Sequence, residues 1–485
     1  MDNEHYDVLI IGAGISGIGM ACQLARQCSR KRVAILERRE AIGGTWDLFR
    51  YPGIRSDSDV MTFGYGFRPW TDTRLLADGP AIRAYVDETA REFGVDGKIH
   101  FGLRITTANW STADCRWTIR GVEERTSQAR EFTCDFLVTA TGYYDYDQGH
   151  LPDFPGVESF KGQCIHPQHW PEGLIYEGKR VVVVGSGATA VTLIPAMATD
   201  TAHITMLQRS PSYVYSVPAT DRMAAVLKRV LPQRWVYRLA RERNIRIQRA
   251  IFKLSRRFPK LMRSLLLGAV RKQLGRHVDM THFTPKYMPW DERLCAVPDG
   301  DLFKALREGR ASVVTDHIDR FTESGILLKS GTILEADIIV TATGLRLQTL
   351  GGMELSVDGR PTPLSDRMTY KSVLIQDVPN MAHLFGYTNI SWTLKIDLAA
   401  EYVCRVLNEM DRRGAAFVTP RAPEGEIQSD NVLGSLQAGY VQRDGAVLPR
   451  QGRNVPWRVL HHFERDRSML RQPLEDPALE WSAAA

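Results

Sequence analysis

Residues 7–17 read DVLIIGAGISG. The apolar run from Asp7 to Ile11 has the look of a strand buried on both faces, where neither side meets water. Gly12, Gly14 and Gly17 follow it as GxGxxG, and Ile15 to Gln27 then reads as a helix. A second apolar strand, Val33–Leu36, ends at Glu37. Three glycines at this spacing are a weak signal alone. Between a buried strand and a helix they allow a tight turn, close approach of a pyrophosphate to the helix N-terminus, and close helix–strand packing. Glu37, at the tip of the next strand, is placed to accept from ribose hydroxyls. A βαβ unit that binds a dinucleotide is expected.

The plan recurs. Arg180–Val184 is another short apolar run, followed by Gly185, Ser186, Gly187, Ala188, Thr189 and Ala190, which is GSGATA with alanine in the third glycine place. A helix over Ala188–Ala198 and a strand over Ile204–Leu207 come next. That strand leads into Gln208, Arg209 and Ser210, with no acid. A carboxylate here would repel a 2′-phosphate, whereas an arginine can pair with it bidentately. The second unit is therefore expected to take NADPH, and the first, with its acid, FAD. Two further apolar runs, Phe136–Ala140 and Asp337–Ala342, each end in Ala-Thr-Gly, at Gly142 and Gly344. The expected fold is α/β, with two doubly wound, Rossmann-like dinucleotide-binding domains. Segments around Arg104–Trp110 and Trp117–Arg120 alternate as antiparallel strands do.

From Asp221 to Arg276 the chain carries seventeen Lys or Arg against Asp221 and Glu242 alone. That segment is +15 in a chain of net +6, so the remainder is −9. It reads helical and amphipathic, divided into at least three helices by Pro232 and Pro259. A run of charge is most often a solvated face, here an insertion beside the NADPH domain. Peripheral attachment to an anionic membrane is the second reading. Nucleic acid is the weakest, because no recognisable module accompanies the charge, and no nucleic-acid partner is expected. The expected division is 1–147 and 345–485 for FAD, 148–218 and 281–344 for NADPH, and 219–280 for the insertion.

No run approaches the ~20 apolar residues of a membrane span, and the apolar stretch Val8–Ile11 is too short for a signal peptide. The seven cysteines are odd in number and hold no CxxC pair. A disulfide framework, a metal site and the dithiol relay of disulfide reductases are not expected, and a reducing cytoplasm fits best.

Phe160, Gly162, His166, Trp170 and Pro171 fit FxGxxxHxxxWP within FKGQCIHPQHWP. Gly43, Gly44, Thr45 and Trp46 through Tyr51, Pro52 and Gly53 to Asp57 fit GGxWxxxxYPGxxxD. Together these resemble the two fingerprints of Baeyer–Villiger monooxygenases of the two-dinucleotide-fold flavin class. The related N- and S-oxygenases usually end the first pattern differently. The likeness runs nearly end to end with the ethionamide-activating branch of mycobacteria, through GGTWDLFRYPGIRSDSD, HPQHWPE, VVGSGATAVTL, LQRSP, RLCAVPDGDLF and GYTNISWTLK. It implies an FAD enzyme that uses NADPH and O2 to insert oxygen into ketones or to oxidise the sulfur of sulfides and thioamides. An oxygenase confined to N and S is the alternative, and a redox-responsive binding module is a third.

The resemblance assigns the catalytic roles to Arg293, in DERLC, and to Asp57 as its carboxylate partner. Where the family mostly has lysine before this arginine, the chain has Glu292. The candidate cofactor-binding residues are Gly12, Gly14, Ser16, Gly17, Glu37, Gly44, Thr45, Trp46, Asp57, Gly142, Gly185, Ser186, Gly187, Ala188, Thr189, Arg209 and Gly344. The segment around His166 is expected at the domain linker, with a conformational role and not that of proton donor.

Overall fold

Strand β1 (Glu4–Ile11) shares its side chains between two cores, Val8 and Ile10 on one face and Leu9 and Ile11 on the other. This is the period-2 geometry of a strand covered on both sides. In the computed structural model, which describes residues 4–275, 278–292, 294–434, 436 and 438–483, β1 leads through the glycine turn into helix α1 (Ile15–Gln27) and then β2 (Val33–Leu36). The first sheet continues with β3 (Ile99–His100), β4 (Leu103–Ser111), β5 (Arg116–Glu123) and β6 (Ala129–Thr139). Its order is β4-β5-β6-β1-β2-β3. The half from β6 to β3 is parallel, with Val8 beside Val33 and Phe136. The half from β4 to β6 is an antiparallel meander, in which Trp110 faces Trp117. The first sheet is thus mixed, and the alternating segments around Arg104–Trp110 and Trp117–Arg120 form its antiparallel part, as expected. The meander supplies the second core with Trp110, Trp117 and Phe132.

The second sheet is wholly parallel. It holds β7 (Gln163–Ile165), β8 (Arg180–Val184), β9 (His203–Gln208), β10 (Ala311–Thr315) and β11 (Ile338–Thr341) in the order β7-β11-β8-β9-β10. Helix α2 (Ala188–Met197) follows β8. Val181 and Val183 face one core, Val182 and Val184 the other. After β11 the chain rejoins the first sheet, where β12 (Glu354–Val357) pairs with β4 and β13 (Met381–His383) with β6. The long helix α3 (Trp392–Arg413) then packs against α1.

The basic segment forms three helices, Arg222–Leu227, Gln233–Arg257 and Pro259–Leu274, broken at the two prolines as expected. In sequence it interrupts the second unit. Its attachment differs from that of a solvated insertion. Val236, Tyr237, Ala240 and Ile245 belong to the core of the first sheet. Arg241 donates to the carbonyls of Met61, Thr62 and Gly64 and pairs with Asp397 at 2.7 Å. Asn244 and Gln248 donate to the buried Asp59 carboxylate at 2.8 and 2.5 Å. Among the described residues, no helix is long and apolar enough to cross a membrane.

Two of the glycines in the first turn are constrained by different things. A Cβ on Gly17 would stand 1.8 Å from the Gly12 carbonyl oxygen, so helix and strand touch through it. A Cβ on Gly14 would meet nothing nearer than 3.6 Å. Gly17→Ala is therefore expected to cost about 1–3 kcal/mol by overpacking and to advance thermal unfolding of the ligand-free protein. Gly14→Ala should leave that transition in place and impair only dinucleotide loading. Differential scanning fluorimetry with and without added dinucleotide separates the two, and equal destabilisation by both would refute the distinction.

Candidate active site

Gly12 has φ 103°, a backbone region that favours glycine, and a Cβ there would lie 2.8 Å from the carbonyl oxygen of Ala140. The first Ala-Thr-Gly thus ends against the first glycine. Helix α1 starts at Gly14 with no side-chain cap, which leaves its first N–H groups to an anion. The close approach of Gly44 to Gly14 and the uncapped donors together fit a pyrophosphate held against backbone. Glu37 is buried, and its carboxylate accepts from the N–H groups of Ala13 and Arg39 at 2.6 and 2.8 Å. Burial pushes its carboxyl up, and these two donors hold it down. Fixed in this way, the carboxylate keeps lone pairs for ribose hydroxyls.

The second turn repeats the first. Gly185 has φ 137°, and its Cβ would lie 2.4 Å from the carbonyl oxygen of Ala342. Gly187 has no neighbour within 4 Å of a Cβ, and α2 starts there without a side-chain cap. Ser186 Oγ is 2.9 Å from Ser212 Oγ. Gln208 is buried and donates to His282 O and Thr315 Oγ1. Arg209 beside it is exposed. Its charge is felt at Glu292, where it opposes the burial that raises the carboxyl.

Between the turns lies a cavity of about 710 Å³. Its wall brings together Gly12, Gly14, Ser16, Glu37, Gly44, Thr45, Trp46, Asp57, Gly142 and Ala188. Gly17, Gly185, Ser186, Gly187, Thr189, Arg209 and Gly344 stand outside that wall. Trp392, in the quoted GYTNISWTLK, donates from Nε1 to Ser16 Oγ at 2.9 Å. After the short helix Thr45–Leu48, the chain crosses to the second unit, where Phe49, Tyr51 and Ile54 join its core. A Cβ on Gly53 would be 2.9 Å from Thr192 O in α2, and the Tyr51 phenol bonds the Thr189 hydroxyl. The YPG motif therefore fastens one unit to the other and delivers Asp57 to the cavity. The charge of Asp57 reaches the buried phenols of Tyr51 and Tyr215. Arg293 lies outside the described residues.

The linker motif stands apart from this cavity. His166 Nε2 is 3.1 Å from the carbonyl of Gly344, and Nδ1 accepts from Gln168 N. A Cβ on Gly149 would lie 1.9 Å from the His166 ring. Burial lowers the His166 pKa, so the ring is neutral at physiological pH. Phe160 packs with Phe321, Gly162 lets the chain pass Asp337 O, and half-buried Trp170 leans on the second sheet's core around Val181 and Val183. Pro171 is exposed.

Sequence reasoning missed part of the wall. Arg55, two residues before Asp57, pairs with Asp301 at 2.7 Å and lines the cavity, with Nε and Nη2 unpartnered. Trp290 lines it too, at φ 72° and with a buried Nε1 that has no partner among the described residues. Gln248, Ile251 and Ser255 of helix Gln233–Arg257, with Met262 and Leu266 of the next, complete an apolar side. The amphipathic spacing of those helices was the available signal.

The flavin-binding monooxygenase-like family profile matches residues 75–350, and an NAD(P)-binding Rossmann-like profile matches 10–89. The chain is 59% identical to MymA of Mycobacterium tuberculosis, over 100% of this chain and 99% of that protein. It is 48% identical to the FAD-containing monooxygenase EthA of the same organism, over 99% and 98%. Its fold is shared by an NADP-bound steroid monooxygenase, with TM-score 0.80, 24% identity and 99% and 100% of the two chains covered. An open form of cyclohexanone monooxygenase gives TM-score 0.78 at 19% identity, over 99% and 100%. The chain belongs to the flavin-binding monooxygenase-like family.

Proposed function

We propose that this protein is an FAD-containing, NADPH-dependent monooxygenase that oxidises ketones to esters or lactones and oxidises the sulfur of sulfides or thioamides. The observation that carries the reading is the single cavity that joins a dinucleotide cradle, at Gly12, Gly14 and Glu37, to Asp57 and an apolar wall. Flavin at this site supplies reduction by NADPH and activation of O2. The chain supplies the rest. The α1 N-terminus and Glu37 would hold the adenosine end, with Thr45 and Trp46 further along the wall. The second turn, with Gly185, Gly187 and Arg209, would hold NADPH. We assign residues 1–147 and 345–485 to the flavin unit, 148–218 and 281–344 to the NADPH unit, and 219–280 to the insertion, a division that the two sheets support.

Arg293, matched by its place in DERLC, is the proposed catalytic residue, with Asp57 positioning it. Addition of an anionic oxygen nucleophile to a ketone carries negative charge into the site and moves it onto the carbonyl oxygen. A fixed guanidinium is most effective against such charge where water is excluded. The apolar side formed by Ile251, Met262 and Leu266 would exclude it. Trp290 offers an unpartnered N–H donor in the same wall.

The coenzyme assignment is tested at two residues. Arg209→Ala should raise the NADPH requirement about ten- to a hundredfold and leave NADH nearly unchanged, since a charge-assisted contact is worth ~1.5–3 kcal/mol. Glu292→Lys should act in the opposite direction, by up to about fivefold for a half-exposed pair. Steady-state kinetics with both coenzymes reads this, and equal losses for both with Arg209→Ala would remove the 2′-phosphate role.

For catalysis, Arg293→Ala is expected to load FAD and accept electrons from NADPH. It should make about 100-fold less ester from a ketone or fewer still, with the consumed NADPH recovered as hydrogen peroxide. Asp57→Ala should show a milder form of the same uncoupling. A ketone and a sulfide are assayed in parallel with products identified by mass spectrometry. Ester formation by Arg293→Ala near the wild-type rate would overturn the assignment. Sulfoxide without ester from the wild type would restrict the enzyme to heteroatom oxidation.

A further inference from the structure

Eleven of the eighteen large hydrophobic side chains that stand exposed among the described residues fall between Met223 and Leu265. They are not scattered there. Ile247, Ile251 and Leu254 follow one another at i, i+4 and i+7, a single stripe on helix Gln233–Arg257, and Phe258 at its C-cap extends it. Each is between 45% and 50% exposed. The chain turns sharply at Phe258, and Leu261 and Leu265 of the next helix, at 54% and 57%, continue the apolar surface. The stripe borders an opening, because Ile247 and Ile251 also line the active-site cavity.

The charge around this surface is mostly positive, with Asp291 paired to Arg256 as the acid beside it. Lys253 and Arg257 flank the stripe on the same helix, and Lys260 opens the next. All three are exposed, and among the described residues none has a carboxylate partner. Three other cations of the same helix turn into the fold instead: Arg241 pairs with Asp397, Arg243 with Asp221 and Arg249 with Glu464. An exposed apolar stripe with unpaired cations beside it is the pattern of an interfacial helix, whose apolar face enters the acyl boundary while the cations meet anionic headgroups. A nucleic acid would take the charge but give no reason to expose Leu254, Phe258, Leu261 and Leu265.

We infer that this helical corner docks on an anionic lipid surface, with the cavity mouth turned toward it. Substrates with apolar chains then pass from the bilayer into the site past Ile247 and Ile251. The docking stands independently of the activity proposed above; the delivery of substrate rests on it.

The test uses the FAD-loaded enzyme and vesicles of phosphatidylcholine alone or with about a third phosphatidylglycerol. Co-sedimentation should be strong with the mixed vesicles, weak with the neutral ones, and reduced by salt. Leu261→Ser with Leu265→Ser, and separately Lys253→Glu with Arg257→Glu and Lys260→Glu, should each lower the partition coefficient about tenfold or more. Flavin content and turnover of a water-soluble ketone should stay at wild-type values, since none of these five residues lines the cavity. On a long-chain ketone carried in the mixed vesicles, the same variants should turn over several-fold more slowly. Equal binding to neutral and anionic vesicles, unchanged binding by both variants, equally tight binding of duplex DNA, or patch-dependent self-association without vesicle binding would each overturn the docking. Absence of oxygenated product from every ketone and every sulfide would overturn the proposed function and the delivery step, while the sedimentation result would still decide the docking.

Discussion

At each of the two helix starts, the carbonyl of an alanine presses on a glycine where a side chain would sit. Ala140 does this to Gly12 and Ala342 to Gly185, with Cβ positions that would fall 2.8 and 2.4 Å from oxygen. The contact exists because a parallel strand that ends in Ala-Thr-Gly must run close beside the strand that feeds the turn. Ala140 N in turn donates to Ile11 O at 2.8 Å. The same approach fixes the turn from below; the ligand side is open at Gly187, and at Gly14 it meets nothing closer than Gly44. One backbone constraint, used twice, therefore accounts for two glycine motifs and two Ala-Thr-Gly segments. The rest of the site is arranged around the crevices it leaves.

The two units then have to be held in register, and three separate devices do so. The YPG segment inserts Phe49, Tyr51 and Ile54 into the core of the second sheet while its own sequence neighbours remain in the first unit. His166 bonds the carbonyl of Gly344, at the place where the chain leaves the second sheet. Helix Gln233–Arg257, which interrupts the second unit, is anchored to the first through Asp59 and Asp397. Each device has one end beside the cavity or beside a dinucleotide turn. A change in the relation of the units would move Asp57, the apolar wall and the second turn together.

Most of the backbone plan was legible because it depends on local pattern. Ile15–Gln27, Val33–Leu36 and Arg180–Val184 form with the bounds that their apolar runs imply. Strand Ala129–Thr139 extends well before the apolar run Phe136–Ala140, because its first half belongs to an antiparallel meander and shows a mixed burial pattern. The strand Glu354–Val357 carried no such signal. The cofactor cradle was legible since glycines report on backbone. The apolar wall was not: its polar anchors pair across 185 residues from Asn244 to Asp59 and 156 from Arg241 to Asp397, and nothing local marks such partners.

The basic segment shows why composition alone misjudged that region. A net +15 suggests one property, yet the structure divides it by environment. Arg241 is held among buried phenols and a buried carboxylate, where pairing an already desolvated charge fixes orientation more than it adds stability. Such a cation is structural, and its removal would leave Asp397 buried and uncompensated. Lys253, Arg257 and Lys260 at the helical corner stay hydrated and, among the described residues, pair with no acid, so they contribute little to the fold. What they do contribute is a field at the cavity mouth, on the side where the apolar stripe is bare. Two populations of arginine and lysine, indistinguishable in sequence, thus serve the inside and the outside of the same helix.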